Sequence, residues 1–342
     1  MQDKKTILTL ITAIATIDFS TLWCKVDTRL STSGRHYLYT RLGHPTRTSL
    51  EAKLSAIGQV QFTLSANDIL AIYYSLSLLF VENDEIIILS TREQFKNMMR
   101  RIFEGQQMGL KLHYSTNTED ALNKITPQSK LIIAERVQPS PDGFSIFEHS
   151  KVYEASKSKN IIFALDMSNC IGDIKQLHKI SDVDLLIADL TYFNGCDGVR
   201  NGAMMTDRQD LYEKVKVNVN SIGNVTQPMA AYLASRGLKT LSIRLDQQAK
   251  NAEAIVEQFL KPNDIQSHLY GNMILIPCTL DNDLLSELKE IRLKQGNSNF
   301  SHIEKSERYF VVHVGIDEYE DIAKELLTMI SKIQSANDQQ KL

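Results

Sequence analysis

Four short runs are apolar almost without a break: "DEIIILS" (Asp84–Ser90), "SKLIIAERV" (Ser129–Val137), "NIIFALDM" (Asn160–Met167) and "VDLLIADL" (Val183–Leu190). A strand with no polar face has to be covered on both sides, and helices are what cover it in a parallel sheet. The segments between the runs supply them. "ANDILAIYYSLSLLF" (Ala66–Phe80) has helical length and period, and "REQFKNMMRRIFEGQQMG" (Arg92–Gly109) reads as a helix ended by Gly109. "NTEDALNKI" (Asn117–Ile125) is predicted as a helix capped by Asn117 or Thr118, and "GFSIFEHSKVYEASKSK" (Gly143–Lys159) as another. "LKLHYS" (Leu110–Ser115) is a further strand. The alternation predicts a doubly wound, mostly parallel α/β domain over about residues 50–220.

A different pattern follows. Gln227–Leu260 is a long helical region broken near Gly237. "NMILIPC" (Asn272–Cys278) and "RYFVVHVG" (Arg308–Gly315) are strands, each followed by a helix, "DNDLLSELKEIRLK" and "DEYEDIAKELLTMISKI". The expected organisation is an N-terminal arm at 1–48, a large α/β domain at 49–225, a smaller α+β C-terminal domain at 226–335 and a polar frayed tail at 336–342.

Composition excludes several function classes. A net charge of −3 with no long basic run gives no footprint for nucleic acid or an anionic membrane. The apolar N-terminal run, "ILTLITAIATI", is short, dotted with threonine and lacks a cleavage signature, so it is read as an arm packing on the body or on another subunit. No segment reaches the length needed to span a bilayer. Cys24, Cys170, Cys196 and Cys278 form no CxxC pair, and the eight histidines show no HxH or HExxH spacing, so no metal site is expected. Unpaired cysteines fit a reducing, cytoplasmic setting.

The segment after the last apolar strand, "IADLTYFNGCDGVRNGAMM" (Ile187–Met205), is a Gly/Asn-rich loop of the kind that wraps a cofactor. It holds no lysine, serine or histidine, and the flanking lysines are Lys179 and Lys214. Several stretches, in order, give it a context: "YTRLGHPTRTSLEAKLSAI" (Tyr39–Ile57), "ITPQSKLIIAE" (Ile125–Glu135), "IIFALDM" (Ile161–Met167), "ASRGLKTLSIRLDQQAKNAEAI" (Ala234–Ile255) and "VVHVGIDEYEDIAKELL" (Val311–Leu327). Together they resemble the Cys/Met-metabolism family of pyridoxal-phosphate (PLP) enzymes, the cystathionine γ-synthases, cystathionine β- and γ-lyases and methionine γ-lyases, over roughly residues 36–330. The chain is shorter than a usual member, the shortfall falling at the N-terminal arm and the late substrate loop. The resemblance implies PLP-transferase fold type I, the aspartate-aminotransferase-like fold.

It also implies a site from which parts are missing. The family's loop runs Ser-x-Thr-Lys-Tyr, a Gly-rich turn, then Gly-Gly-Ala. On that pattern Tyr192 matches the tyrosine, Gly202-Ala203 the Gly-Ala, and Thr191 stands where the lysine belongs. That lysine would form the Schiff base to the cofactor and shuttle the α-proton; threonine has no amine and does neither. Ala188 and Leu190 replace hydroxyls that would bind the phosphate. Asn67-Asp68-Ile69 matches a Ser-Gly-Met phosphate cradle, and places a carboxylate there. Gln94 stands near the tyrosine that stacks on the pyridine ring, and Val311 stands for the arginine that grips the substrate carboxylate. Three cofactor-binding positions are retained: Asp166, which would face the pyridine nitrogen, and Tyr39 and Arg41, which in the family cross the dimer interface to the neighbour's phosphate.

Plainer readings stand beside these. Asp166 also fits an ordinary strand-end carboxylate, Gly195, Gly198 and Gly202 fit backbone turns, Cys196 an inert thiol, and Tyr39 and Arg41 a packed tyrosine and a surface arginine. "GLKTL" reads as helix packing. The preferred expectation is a pseudoenzyme with no catalytic residue and no cofactor, PLP entering only if the family function is retained. It would be a structural or regulatory subunit, a homo-oligomer or a heteromer with a catalytic relative whose site Tyr39 and Arg41 complete. The alternatives are a PLP-dependent lyase or synthase of sulfur amino acids with an atypical site, and a sensor of amino-acid-like ligands; Val311 weighs against a ligand carboxylate.

Overall fold

The computed structural model describes residues 39–105, 109–140, 142–170, 182–191, 199–277, 302–305, 308–316 and 318–339. The chain divides into two compact units: residues up to Arg136 with Phe147–Leu241, and Val137–Ile146 with the residues from Ser242 on.

The first unit opens with α1 (Pro45–Gly58), started by Pro45 at its first position and by His44, whose Nδ1 accepts from the Thr46 amide at 3.2 Å. Strand β1 (Phe62–Ala66) follows, then α2 (Ile69–Ser77), capped by Asp68. Next come β2 (Glu85–Leu89), α3 (Glu93–Phe103), β3 (Lys111–Ser115), α4 (Thr118–Asn123) and β4 (Ser129–Glu135). The Asn117 side chain accepts from the Asp120 amide at 2.9 Å, so the cap read from the sequence starts α4. Strands β5 (Val137–Ser140) and β6 (Gly143–Ile146) then leave the first unit for the second. On the chain's return, α5 (Ser150–Ser158), β7 (Ile162–Asp166), β8 (Leu185–Asp189), β9 (Gly202–Thr206), α6 (Gln209–Ile222) and α7 (Pro228–Gly237) complete the first unit.

Its sheet has seven strands in the order β1-β9-β8-β7-β4-β2-β3. The run from β8 to β3 is parallel throughout, and β9 lies antiparallel to both its neighbours. This is the doubly wound, mostly parallel sheet of the α/β class. Ile86–Leu89 and Leu131–Ala134 are wholly buried, as an apolar run without a polar face requires. Tyr73, Leu76, Phe103 and Val215 belong to the core on one side of these strands.

The second unit holds a four-stranded antiparallel sheet ordered β10 (His268–Tyr270), β11 (Met273–Pro277), β13 (Tyr309–His313) and β12 (His302–Lys305). Helix α8 (Leu241–Ile255), running on into a π turn at Val256–Leu260, and α9 (Tyr319–Gln339) belong to it. Its core gathers Ile255, Ile274, Phe310, Val312 and Leu326. The "QQAKNA" motif on α8 acts as a clamp here. Asn251 donates to the Gly315 carbonyl at 3.1 Å, and Asn272 donates to Gln248 Oε1 at 3.3 Å and to the Val314 carbonyl at 3.1 Å.

The stretch read as one helix from Gly143 to Lys159 is divided. Gly143–Ile146 is strand β6, paired with β5, and helix begins only at Ser150. Phe144, Ser145 and Ile146 alternate with period two, which suits a hairpin better than a helix. Gly143 sits at φ +124 against the His268 ring, where a side chain would be strained and crowded. Strands β1 (FTLSA) and β9 (GAMMT) mix apolar with polar or small residues and lack the aliphatic runs that mark the inner strands in the sequence. The helix expected at Asp281–Lys294 and residues 1–38 of the arm lie outside the described residues. Among the described residues no helix is long and apolar enough to cross a membrane, and no three His, Cys, Asp or Glu side chains group as for a metal.

Candidate functional site

Parallel strands that end side by side bring their last residues together, and here those residues are acids. Glu135 ends β4, Asp166 ends β7 as its register partner, and Asp189 ends β8. Ligands of open α/β sheets bind at this carboxyl edge.

Asp166 is buried, and both of its oxygens are engaged. Oδ1 accepts from the Ser168 amide at 2.8 Å, and Oδ2 accepts from the hydroxyl of Tyr73, a fully buried residue of α2. Burial pushes the Asp166 carboxyl upward, and the Tyr73 and Ser168 hydrogen bonds pull it back. Burial and the same contact push the Tyr73 phenol well above its ordinary value. Beside it, Glu135 takes the Ser90 hydroxyl and the Arg92 guanidinium. Burial raises Glu135 to about 7; the Arg92 charge opposes this and the Asp166 charge adds to it. Two buried carboxylates thus share a neighbourhood with one guanidinium.

Asp189 is held by the next turn of the chain. The Thr191 amide and hydroxyl donate to its Oδ1 at 2.8 and 2.5 Å, and its own amide donates to Ser168 Oγ at 3.0 Å. Burial raises its carboxyl too. Thr191 therefore directs its hydroxyl back onto the strand end. Ala188 and Leu190 are fully buried and apolar.

The start of α2 adjoins this edge. The Asp68 carboxylate accepts from the Leu70 amide at 2.9 Å, satisfying a donor that a helix N-terminus would otherwise offer to an anion. Arg200 approaches its other oxygen at 3.7 Å. A Cβ at Gly202 would lie 2.5 Å from the Ile69 nitrogen and Cα, so β9 and α2 meet backbone to backbone.

The other positions singled out from the sequence fall on different elements. Gln94 is exposed on the first turn of α3. Val311 is buried in the second unit's sheet, paired with Leu275 and Glu304. Tyr39 is 56% exposed, with the exposed Arg41 guanidinium 5.4 Å from its ring centre. Tyr192, Gly195, Cys196 and Gly198 lie outside the described residues. The sequence reading missed Tyr73, Ser90, Arg92, Glu135 and Asp189. An acid closing an apolar strand was a usable signal for Glu135 and Asp189; nothing distinguishes Tyr73 from a core aromatic on an apolar helix.

A sequence model of the Cys/Met metabolism PLP-dependent enzymes matches residues 2–274. Cystathionine γ-lyase of Rattus norvegicus is 30% identical over 244 residues, 70% of this chain and 59% of the relative. The Bos taurus cystathionine γ-lyase is 26% identical over 239 residues, 67% and 57% of the two chains. The chain thus spans less than two thirds of the length of these curated relatives. Among solved structures, cystathionine γ-lyase from yeast superposes with a TM-score of 0.74 at 18% identity, over 96% of this chain and 98% of that one. The Lactobacillus plantarum cystathionine γ-lyase complexed with L-serine gives 0.72 at 19%, over 96% and 99%. The fold is that of PLP fold type I, and the chain belongs to the Cys/Met metabolism PLP-dependent enzyme family.

Proposed function

We propose that this chain is a pseudoenzyme of its family, a subunit that holds no PLP through a Schiff base and acts by structure or regulation. The observation that carries the reading is Thr191. It follows β8 where the resemblance puts the lysine, its hydroxyl is bonded to Asp189, and no lysine occurs from Ile187 to Met205. The rest of the donor set supports it, because the groups present do not fit the cofactor. Asp68 offers a carboxylate where the phosphate would be cradled, and a dianion is repelled there. Ala188 and Leu190 present no hydroxyl. Asp166, which would face the pyridine nitrogen, already accepts from Tyr73. Tyr39 and Arg41 are exposed and suited to contact another subunit, either a second copy or a catalytic relative.

The test is an absorbance spectrum of the protein with PLP, followed by borohydride and peptide mapping. No new near-visible band and no labelled peptide is the expected result; a labelled lysine defeats the reading. A second reading, an atypical lyase or synthase, is favoured by one feature: Glu135, near neutrality beside Asp166, has the proton affinity of an acid–base group. Turnover of cystathionine that Asp166→Ala abolishes would establish it.

A further inference from the structure

We propose that Lys53 is a carbon dioxide site: its side-chain amine adds CO2 to form a carbamate, which Lys239 and Ser235 hold between α1 and α7. Helix α1 packs against α7, and Lys53 lies on the α1 face that also presents the buried Leu50 and Ile57, three residues before it and four after. Lys53 is itself buried, and among the described residues no acceptor reaches its Nζ. The one acid of α1, Glu51, stands two positions away and points elsewhere, to β1, where it accepts from the amide and the hydroxyl of Ser65 at 3.0 Å each. The charge that acts on Lys53 is that of Lys239, on the turn Leu238–Thr240 that follows α7, and it is repulsive.

An ammonium group buried without an acceptor, with a like charge beside it, is costly, so the neutral amine is favoured. Burial first, and Lys239 second, lower its proton affinity from the ordinary lysine value. CO2 reacts only with a neutral amine, whose lone pair attacks the carbon; an ordinary lysine offers one in roughly one molecule in a thousand near pH 7.4. In the reaction an N–C bond forms, one C=O electron pair moves onto oxygen, and the amine releases a proton to solvent. The group that would have been a cation becomes an anion, and Lys239 then attracts it instead of repelling it. Ser235 lies one helical turn before Lys239, buried, with a hydroxyl that has no partner among the described residues. A carbamate oxygen gives that hydroxyl an acceptor. CO2 is triatomic and uncharged, which suits it to reach an amine this enclosed.

The test is carbon-13 NMR of the full chain in labelled bicarbonate at pH 7.5, beside Lys53→Met, which keeps the stem and removes the amine. The α-amino group of the chain also forms a carbamate and gives an internal reference in both spectra. A second carbamate resonance is expected in the unaltered protein and not in Lys53→Met; its absence, or its survival in Lys53→Met, overturns the proposal. Lys239→Met alters an exposed residue and should lower the occupancy of that resonance at least fivefold, whereas equal occupancy overturns the proposal. Without CO2, the Lys53 Cε resonance should titrate below the ordinary lysine range; a midpoint at about 10.4 overturns it as well.

Discussion

Glu135 is kept near pH 7 by its surroundings while the same group in an unfolded chain titrates near 4.5. A carboxyl whose folded value is raised holds its proton in the native state after the unfolded chain has released it. Its contribution is therefore complete below 4.5, falls as the pH rises to about 7, and is constant above. The difference corresponds to at most about 3 kcal/mol. Denaturant midpoints measured at pH 5 and pH 8 should show the chain less stable at the higher pH. Glu135→Gln should flatten that slope to the part left by Glu51, Asp166 and Asp189, whose carboxyls burial raises in the same direction. Tyr73→Ala, which removes a fully buried ring, should cost about 3–5 kcal/mol.

These two residues also show what a sequence can and cannot disclose. Glu135 and Asp166 end apolar runs, and a charge that closes a buried strand is visible as a string of letters. Tyr73 sits in "DILAIYYSL", where an aromatic among aliphatics is what any core helix contains. Its hydrogen bond joins residues 93 positions apart and exists only once the sheet is assembled. Thr191 was legible in the sequence only as the position where the resemblance puts a lysine. That its hydroxyl turns back to Asp189 was not.

At the scale of elements, the strand–helix alternation was readable because β2, β4, β7 and β8 carry no polar face. The hairpin at Val137–Ile146 was not, since its alternation covers only a few residues beside a true helix. The α2 start is sharply constrained. Gly202→Ala places a methyl 2.5 Å from the Ile69 backbone, which cannot yield as a side chain can, so the strand or the helix must shift. A loss of at least about 2 kcal/mol or failure to fold is expected, read from a thermal or denaturant melt. Asp68→Ala removes the α2 cap and should cost about 1 kcal/mol, whereas Asp68→Ser should restore most of it. On α8, Asn251→Ala leaves the Gly315 carbonyl without this buried donor and should destabilise by about 1–3 kcal/mol.

For the whole molecule, the family assignment separates what a fold provides from what a site does. The sheet is that of the family's fold, while the loss of cofactor binding is a proposal, which the PLP spectrum tests. If Tyr39 and Arg41 serve another subunit, Arg41→Ala should leave the melting of this chain within about 0.5 kcal/mol, since the side chain is exposed. It should lower the activity of a co-purified catalytic relative assembled with it. An Arg41→Ala mixed assembly as active as the unaltered one would remove the donated-residue idea and leave a self-contained subunit.

The hairpin that belongs to the second unit has a consequence for how the chain is made. The Tyr309 hydroxyl donates to the Pro139 carbonyl at 3.2 Å, across 170 residues. At ribosomal speeds of about 5–20 residues per second, that stretch takes roughly 10–30 s to emerge. Throughout that interval Val137–Ile146 has left the ribosome and Tyr309 has not, although β10 emerges before it. The second unit is therefore not a segment that a protease or a cloning boundary can release whole, and a fragment starting at Ser242 lacks part of its own fold. Nascent chains stalled between these two points should expose the hairpin to chaperones, which makes the interval from Pro139 to Tyr309 the vulnerable stage of its biogenesis.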